Sequence, residues 1–293
     1  MPKLDLSDIA LCAPDSANVS LTVRALNISA TECAFGDIVL LSDVSMAGAF
    51  RHVRIDRLTS KADYSAFVIK SLPNHVQLPF ALVMQWDGYV IDPNAWLPEF
   101  RHYDYIGAKW AWHKDGLTVG NGGFSLRSQK LLRTLALPRF ELPHDVNEDV
   151  YICRMQRSVL ESDYGIRFAP EAVADRFSYE GSQPDAPTFG FHGLWNMWRH
   201  VDDAGLVIIA KEIGNHYLKS REYAEIIVTL FQLRRFIPLI AFYTRLRAER
   251  SAAAVSKYLM TFVPNKQLIS HCVGICEMII SQRAGAESSA PDL

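Results

Sequence analysis

The chain has 293 residues, 49% of them apolar and 21% charged, with a formal charge of −2 at pH 7. That length is enough to bury one sizeable α/β core with a smaller appendage, and the near-neutral balance lacks the basic excess that a nucleic-acid partner calls for. The N-terminal Met1-Pro2-Lys3-Leu4-Asp5 has neither a basic leader nor a long apolar stretch, and no apolar run reaches the roughly 18 residues that span a bilayer, so a cytoplasmic protein is expected.

In chain order, the first half alternates apolar strands with helical patterns, which favours a mostly parallel α/β sheet. Residues 9–13 and 37–41 read as strands, with Asn18 placed to cap a helix to about Ala34. A short strand over 53–55 and a helix over 61–72 precede the apolar run 80–84, which delivers Gln85-Trp86-Asp87-Gly88 to the carboxyl end of a strand, where open parallel sheets bind ligands. The aromatic run Tyr103-Asp104-Tyr105-Ile106-Gly107-Ala108-Lys109-Trp110 follows. Gly120-Asn121-Gly122-Gly123 then turns into Phe124-Ser125-Leu126-Arg127, and Ser128 caps a helix. Glu148-Asp149 opens a helical pattern over 150–160, and Phe189-Gly190-Phe191-His192-Gly193 closes the mixed region.

These boundaries give an α/β domain over 1–202, a helical region over 203–283 and a small polar tail, read as disordered, over 284–293. Residues 226–243 are apolar, with Pro238 expected to kink or end a helix. Between Arg221 and Lys257 seven basic residues stand against three acidic ones. The same segment, 221–258, is open to three readings: a packed helical subdomain, a peripheral contact with the inner membrane, or a homo-oligomer interface. Cys12, Cys33, Cys153, Cys272 and Cys276 form no C-x-x-C pair and are read as buried free thiols.

Each polar cluster has a plain reading and a functional one. Asp87 either caps the turn made by Gly88 or binds a divalent cation. Gly122-Gly123 forms a hairpin turn or lets backbone approach a ligand. Glu148-Asp149 either complements a helix dipole or supplies a base, and His192 is a satisfied core histidine or a metal ligand.

The order of these elements resembles GT-A-type glycosyltransferases, with their D-x-D motif, glycine-rich loop, x-E-D motif and late histidine. The runs YDYIGA-x-W, GNGGFSLR, Glu148-Asp149 and FGFH look like a bacterial and fungal family of glycosyltransferase-like domains of unknown function, over about residues 9–198. The resemblance implies a GT-A-type (Rossmann-like) fold with a C-terminal helical appendage. It further implies transfer from a nucleotide-sugar donor, a UDP-sugar first, to a glycan or lipid-linked acceptor in bacterial glycan or polysaccharide synthesis. Position by position, it implies Asp149 as the base of an inverting reaction, with Glu148 beside it on a sugar. Asp87 and His192 would be ligands of Mn²⁺ or Mg²⁺. Asn121, Gly122 and Gly123, with Trp110, would line the sugar and acceptor pocket, and Asp15 and Asp43 would lie near the nucleotide. Gln85 stands where D-x-D has its first acid, which removes one carboxylate charge and weakens cation affinity. Lys109, Arg127 and Arg176 are then candidates to offset the diphosphate. A nucleotidyltransferase and a non-catalytic carbohydrate-binding domain of the same fold are the competing readings; the turn Ala13-Pro14-Asp15-Ser16 lacks the glycine-rich basic loop of the former.

Overall fold

The computed structural model describes residues 2–288. The chain divides into two compact units, Met1–Gly193 and Leu194–Leu293, against the expected boundary at 202. In the first unit β1 (Leu4–Pro14), α1 (Val19–Glu32), β2 (Cys33–Ser42), β3 (Arg51–Arg54), α2 (Lys61–Lys70) and β4 (Phe80–Met84) follow in order. Then come β5 (Tyr105–Ile106), β6 (Phe124–Ser128) and α3 (Gln129–Ala136). The sheet runs β3-β2-β1-β4-β6-β5. Pairings β1–β2, β1–β4 and β2–β3 are parallel, and β6 is antiparallel to both neighbours. The fold class is therefore α/β with a mostly parallel sheet flanked by helices. The last six residues of β1 are all buried, the unbroken apolar pattern of a central strand covered on both faces.

The chain leaves β1 toward β2 on one side and reaches β4 on the other, so the crevice at the carboxyl ends of β1 and β4 is a topological switch point. Gln85-Trp86-Asp87 emerges there. Antiparallel pairing of Met84 with Phe124 sets the turn before β6 beside it, and the Gln85 N–H donates to the Gly123 carbonyl at 2.8 Å.

Downstream, α4 (Glu148–Val150) passes into a π-helical stretch, Tyr151–Met155, before α5 (Arg157–Tyr164), so the single helix expected over 150–160 is interrupted. After α6 (Glu171–Phe177), β7 (Ser178–Tyr179) and β8 (Gly190–Phe191) form a separate parallel pair with Tyr179 opposite Phe191.

The second unit holds α7 (Asp203–Glu212), α8 (Arg221–Gln232), α9 (Phe236–Arg247), α10 (Ala252–Phe262) and α11 (Lys266–Ser288). The tail expected over 284–293 overlaps α11 as far as Ser288, and 289–293 lie outside the described residues. The break in the apolar segment falls at Leu233–Arg235, not at Pro238. Arg234 takes a left-handed φ of 57°, and Pro238 sits in the first turn of α9, where helical amides lack intrahelical acceptors and a missing N–H costs little. A side chain in the left-handed region is strained, so Arg234→Gly is expected to stabilise the protein by about 0.5–1 kcal/mol, read from the urea midpoint.

Ile226, Ile227, Leu230 and Ile240 are core residues, while Leu233 and Ile237 of the same apolar segment are exposed. Three of the arginines of this segment make internal ties. Arg235 bonds Asp203 and the Trp198 and Val201 carbonyls, Arg245 bonds the Ile213 carbonyl and Asn215, and Arg247 bonds Glu277. All five cysteines are buried and free. Among the described residues no helix is long and apolar enough to cross a membrane.

Candidate active site

His192 leaves β8 and is the centre of the site. Its Nδ1 lies 3.0 Å from Glu180 Oε1 and 3.2 Å from the Asn121 amide nitrogen; its Nε2 lies 3.2 Å from Gln85 Oε1 and 3.4 Å from Asp87 Oδ1. The structure thus brings Asp87 and His192 together across 105 positions of sequence (192 − 87), and Gln85 points into the site. Burial disfavours the imidazolium, but the Asp87 and Glu180 carboxylates together outweigh it and hold the His192 pKa well above its ordinary value. The 3.4 Å approach is an ion-pair contact only: Asp87 is buried and its Oδ1 has no hydrogen-bond partner. A buried carboxylate oxygen without a partner is costly.

Two acceptor oxygens facing one imidazole nitrogen, with a carboxylate behind the other nitrogen, is a donor set suited to a cation. Among the described residues no three His, Cys, Asp or Glu side chains gather as a metal set; here the third inward donor is the Gln85 amide oxygen, and Glu180 stands behind the ring.

The glycine turn runs between this cluster and Asp149. A Cβ on Gly123 would sit 2.0 Å from His192 Nε2, and one on Gly122 would sit 2.4 Å from Glu148 Oε1, so neither position admits a side chain with these neighbours in place. Asn121 Oδ1 accepts from the Gly123 N–H at 3.2 Å and rigidifies the turn. On its other side Asp149, half-buried, accepts from the Gly122 N–H (3.3 Å) and its neighbour's Val150 N–H (2.7 Å). Its pKa is pushed up to about 7, by burial first and by the Glu148 carboxylate second. A carboxylate near neutrality is matched to proton abstraction from a hydroxyl.

Several expected site residues have other duties. Glu148 is 4% exposed. One oxygen takes the Arg127 guanidinium at 3.0 Å and the other the Ser65 hydroxyl at 3.3 Å, so both oxygens are engaged inside the protein. Arg127, fully buried, cannot meet a diphosphate, and Lys109 is paired with Asp175 at 2.7 Å; Arg176 is exposed. Asp15 is a cap: its carboxylate accepts from the Ala17 and Asn18 amides and the Thr22 hydroxyl, while Asn18, expected to cap α1, makes no capping bond. Trp110 is buried with its ring against Gly120, which makes it the backing of the glycine turn. Asp43, after β2, keeps a buried Oδ1 without a partner.

Glu180 was invisible to motif reading. Yet Ser-Tyr-Glu-Gly at 178–181 and Gly-Phe-His-Gly at 190–193 share an aromatic–polar–glycine pattern, and the Tyr179–Phe191 register sets their polar residues side by side.

Residues 49–192, just under half of the chain, match the model of a family described as "Protein of unknown function (DUF5672)". No curated protein matches the chain in sequence. Among solved structures, the chain is similar to the mannosyltransferase PcManGT of Pyrobaculum calidifontis in complex with GDP-Man and Mn²⁺, at 11% identity and a TM-score of 0.41 over 97% of this chain and 81% of that one. It is also similar to S. aureus TarS 1–349, at 13% identity and a TM-score of 0.37 over 94% and 91%. The galactosyltransferase LgtC with donor and acceptor sugar analogues gives 11% identity and a TM-score of 0.37 over 62% and 86%. These are distant likenesses.

Proposed function

We propose that this chain is a glycosyltransferase with a GT-A-type catalytic unit, moving a sugar from a nucleoside-diphosphate donor, UDP-sugars first, to a hydroxyl of a glycan or lipid-linked acceptor, with inversion at the anomeric carbon. The observation that carries the reading is the Asn121-Gly122-Gly123 turn, which has a carboxylate with a pKa near 7 on one side and the Gln85–Asp87–His192–Glu180 cluster on the other. Asp149 takes the acceptor proton as the acceptor oxygen bonds the anomeric carbon and the bond to the diphosphate breaks. Arg127 and Glu148 hold Asp149's surroundings, and the side-chain-free Gly122-Gly123 backbone leaves room for the sugar between Asp149 and the His192 cluster. Asp87, His192 and Gln85 would hold Mn²⁺ or Mg²⁺, with Glu180 fixing the imidazole. When bound, the cation would supply positive charge to the departing diphosphate. The unpaired Asp43 oxygen is an acceptor for a nucleotide hydroxyl.

Incubation with a panel of UDP-, GDP-, dTDP- and CMP-sugars, with and without Mn²⁺, is expected to release the nucleotide from at least one donor. Mn²⁺ with UDP is expected to raise the Tm by mass action, and His192→Gln to remove the Mn²⁺-dependent part. Absence of release from every donor under all these conditions refutes the transferase.

A further inference from the structure

We infer that Trp112 is a stacking platform for a pyranose ring of an oligosaccharide acceptor, a specificity subsite at the rim of the active site; the acceptor role rests on the transferase reading above. Trp112 is 59% exposed, the one aromatic among the exposed large apolar side chains described in its unit. Its indole presents a flat, apolar, electron-rich face that a ligand can cover.

Its setting is rigid. Residues 109–119 form a hairpin closed by the Lys109–Val119 bridge and the Trp110 N–H to Thr118 carbonyl bond of 2.7 Å. Arg154 holds its tip through Asp115 (2.6 Å) and the Leu117 carbonyl (2.7 Å), and Lys109–Asp175 and Thr118–Glu171 hold its base. Trp110 anchors the inner side beneath Gly120. A platform held this way loses little entropy on binding.

Its position is set from two directions. A Cβ on Gly181 would lie 3.2 Å from the Trp112 ring, and Gly181 follows Glu180, which touches His192. Arg154, which pins the hairpin, lies on the π-helical stretch that begins two residues after Asp149. The hairpin joins β5 to β6, on the far side of β4 from β1, β2 and β3. With the nucleotide at Asp43, as the transferase reading has it, the β5–β6 side of the cluster and Trp112 with it are left to the acceptor.

The chemistry selects a sugar. One isolated ring, with His113 beside it and Gly181 against it, is too small an apolar surface for a protein interface. It matches the apolar C–H face of one pyranose, which meets the electron-rich face of indole while its hydroxyls turn to polar neighbours.

The test uses the full chain and three probes, cellohexaose, chitohexaose and mannohexaose, with binding read by saturation-transfer NMR. At least one is expected to bind. Trp112→Ala is expected to weaken it about tenfold and Trp112→Phe to retain most of it, both at the wild-type Tm. With a donor that turns over, Trp112→Ala raises acceptor KM with kcat unchanged, the mark of a binding contact. Binding of none of the three, or equal binding by wild type and Trp112→Ala, overturns the platform. Binding lost in Trp112→Ala from a protein that turns over no donor keeps the carbohydrate subsite and sinks the transferase; turnover with an unmoved acceptor KM does the reverse.

Discussion

Asp149→Asn is expected to slow sugar transfer by about 10²- to 10⁴-fold while donor binding survives, the range a general base supplies. The amide is isosteric, and its one oxygen can still accept from either the Gly122 or the Val150 N–H, so the change removes proton acceptance and one of these two hydrogen bonds. The pH profile separates this from a folding defect. Asp149 titrates near 7 in the native chain and near 4 when unfolded, so between those values the native state holds a proton that the unfolded state has released. The raised pKa therefore favours folding fully below about pH 4, and that contribution is lost as pH rises through 7. The base, in contrast, becomes competent over the upper part of that window. Wild-type kcat is thus expected to climb with pH to a plateau above about 7, while the urea midpoint of the wild type, taken relative to that of Asp149→Asn so that other titrating groups such as His200 cancel, falls from pH 4 to 7. Asp149→Asn itself should lose the climb in kcat. A folded variant within about threefold of wild-type kcat rules Asp149 out as the base.

Strand β4 was legible to the residue, because five apolar residues between Pro79 and a polar turn can only be a buried strand of that length. What it delivers was legible too, since strand ends in parallel sheets are where polar turns meet ligands. β5 was not: two residues inside an aromatic run carry no period. The roles of single carboxylates were harder. Asp15 and Asp43 each follow a strand and read alike in sequence, yet one is spent on the start of α1 and the other keeps an unpaired oxygen. Local hydrogen bonding decides this, and an Asp ahead of a helix fits either use. Glu148 and Asp149 are neighbours, but a helical start turns successive side chains about 100° apart, sending one into the core and the other to the turn. Sequence names the pair and cannot say which of the two faces inward. The partner that decides it, Arg127, reads as a surface residue because arginines are rarely buried.

That buried pair makes the largest expected stability change. Arg127 bonds Glu148, the Ser125 hydroxyl and the Gly122 carbonyl, and its guanidinium lies 5.4 Å from the centre of the Tyr105 ring, but Nη1 has no partner. An ion pair left partly unsatisfied in the core contributes little beyond an apolar pair of the same size, whereas removing one partner strands a charge. Arg127→Met is therefore expected to cost about 3–5 kcal/mol in urea unfolding, and Arg127→Met with Glu148→Leu to recover most of it. The same variants report on Asp149 because both groups act on its proton, Glu148 raising its pKa and Arg127 lowering it. In the single variant the rise of kcat with pH should move to higher pH. In the double variant it should return toward or below the wild-type position, since the raising carboxylate is gone as well. Loss of kcat by more than about tenfold in a stable double variant would show that Glu148 touches the sugar after all; a displaced pH limb at near-normal plateau kcat identifies the pair as the support that sets the base's pKa and holds the glycine turn against it.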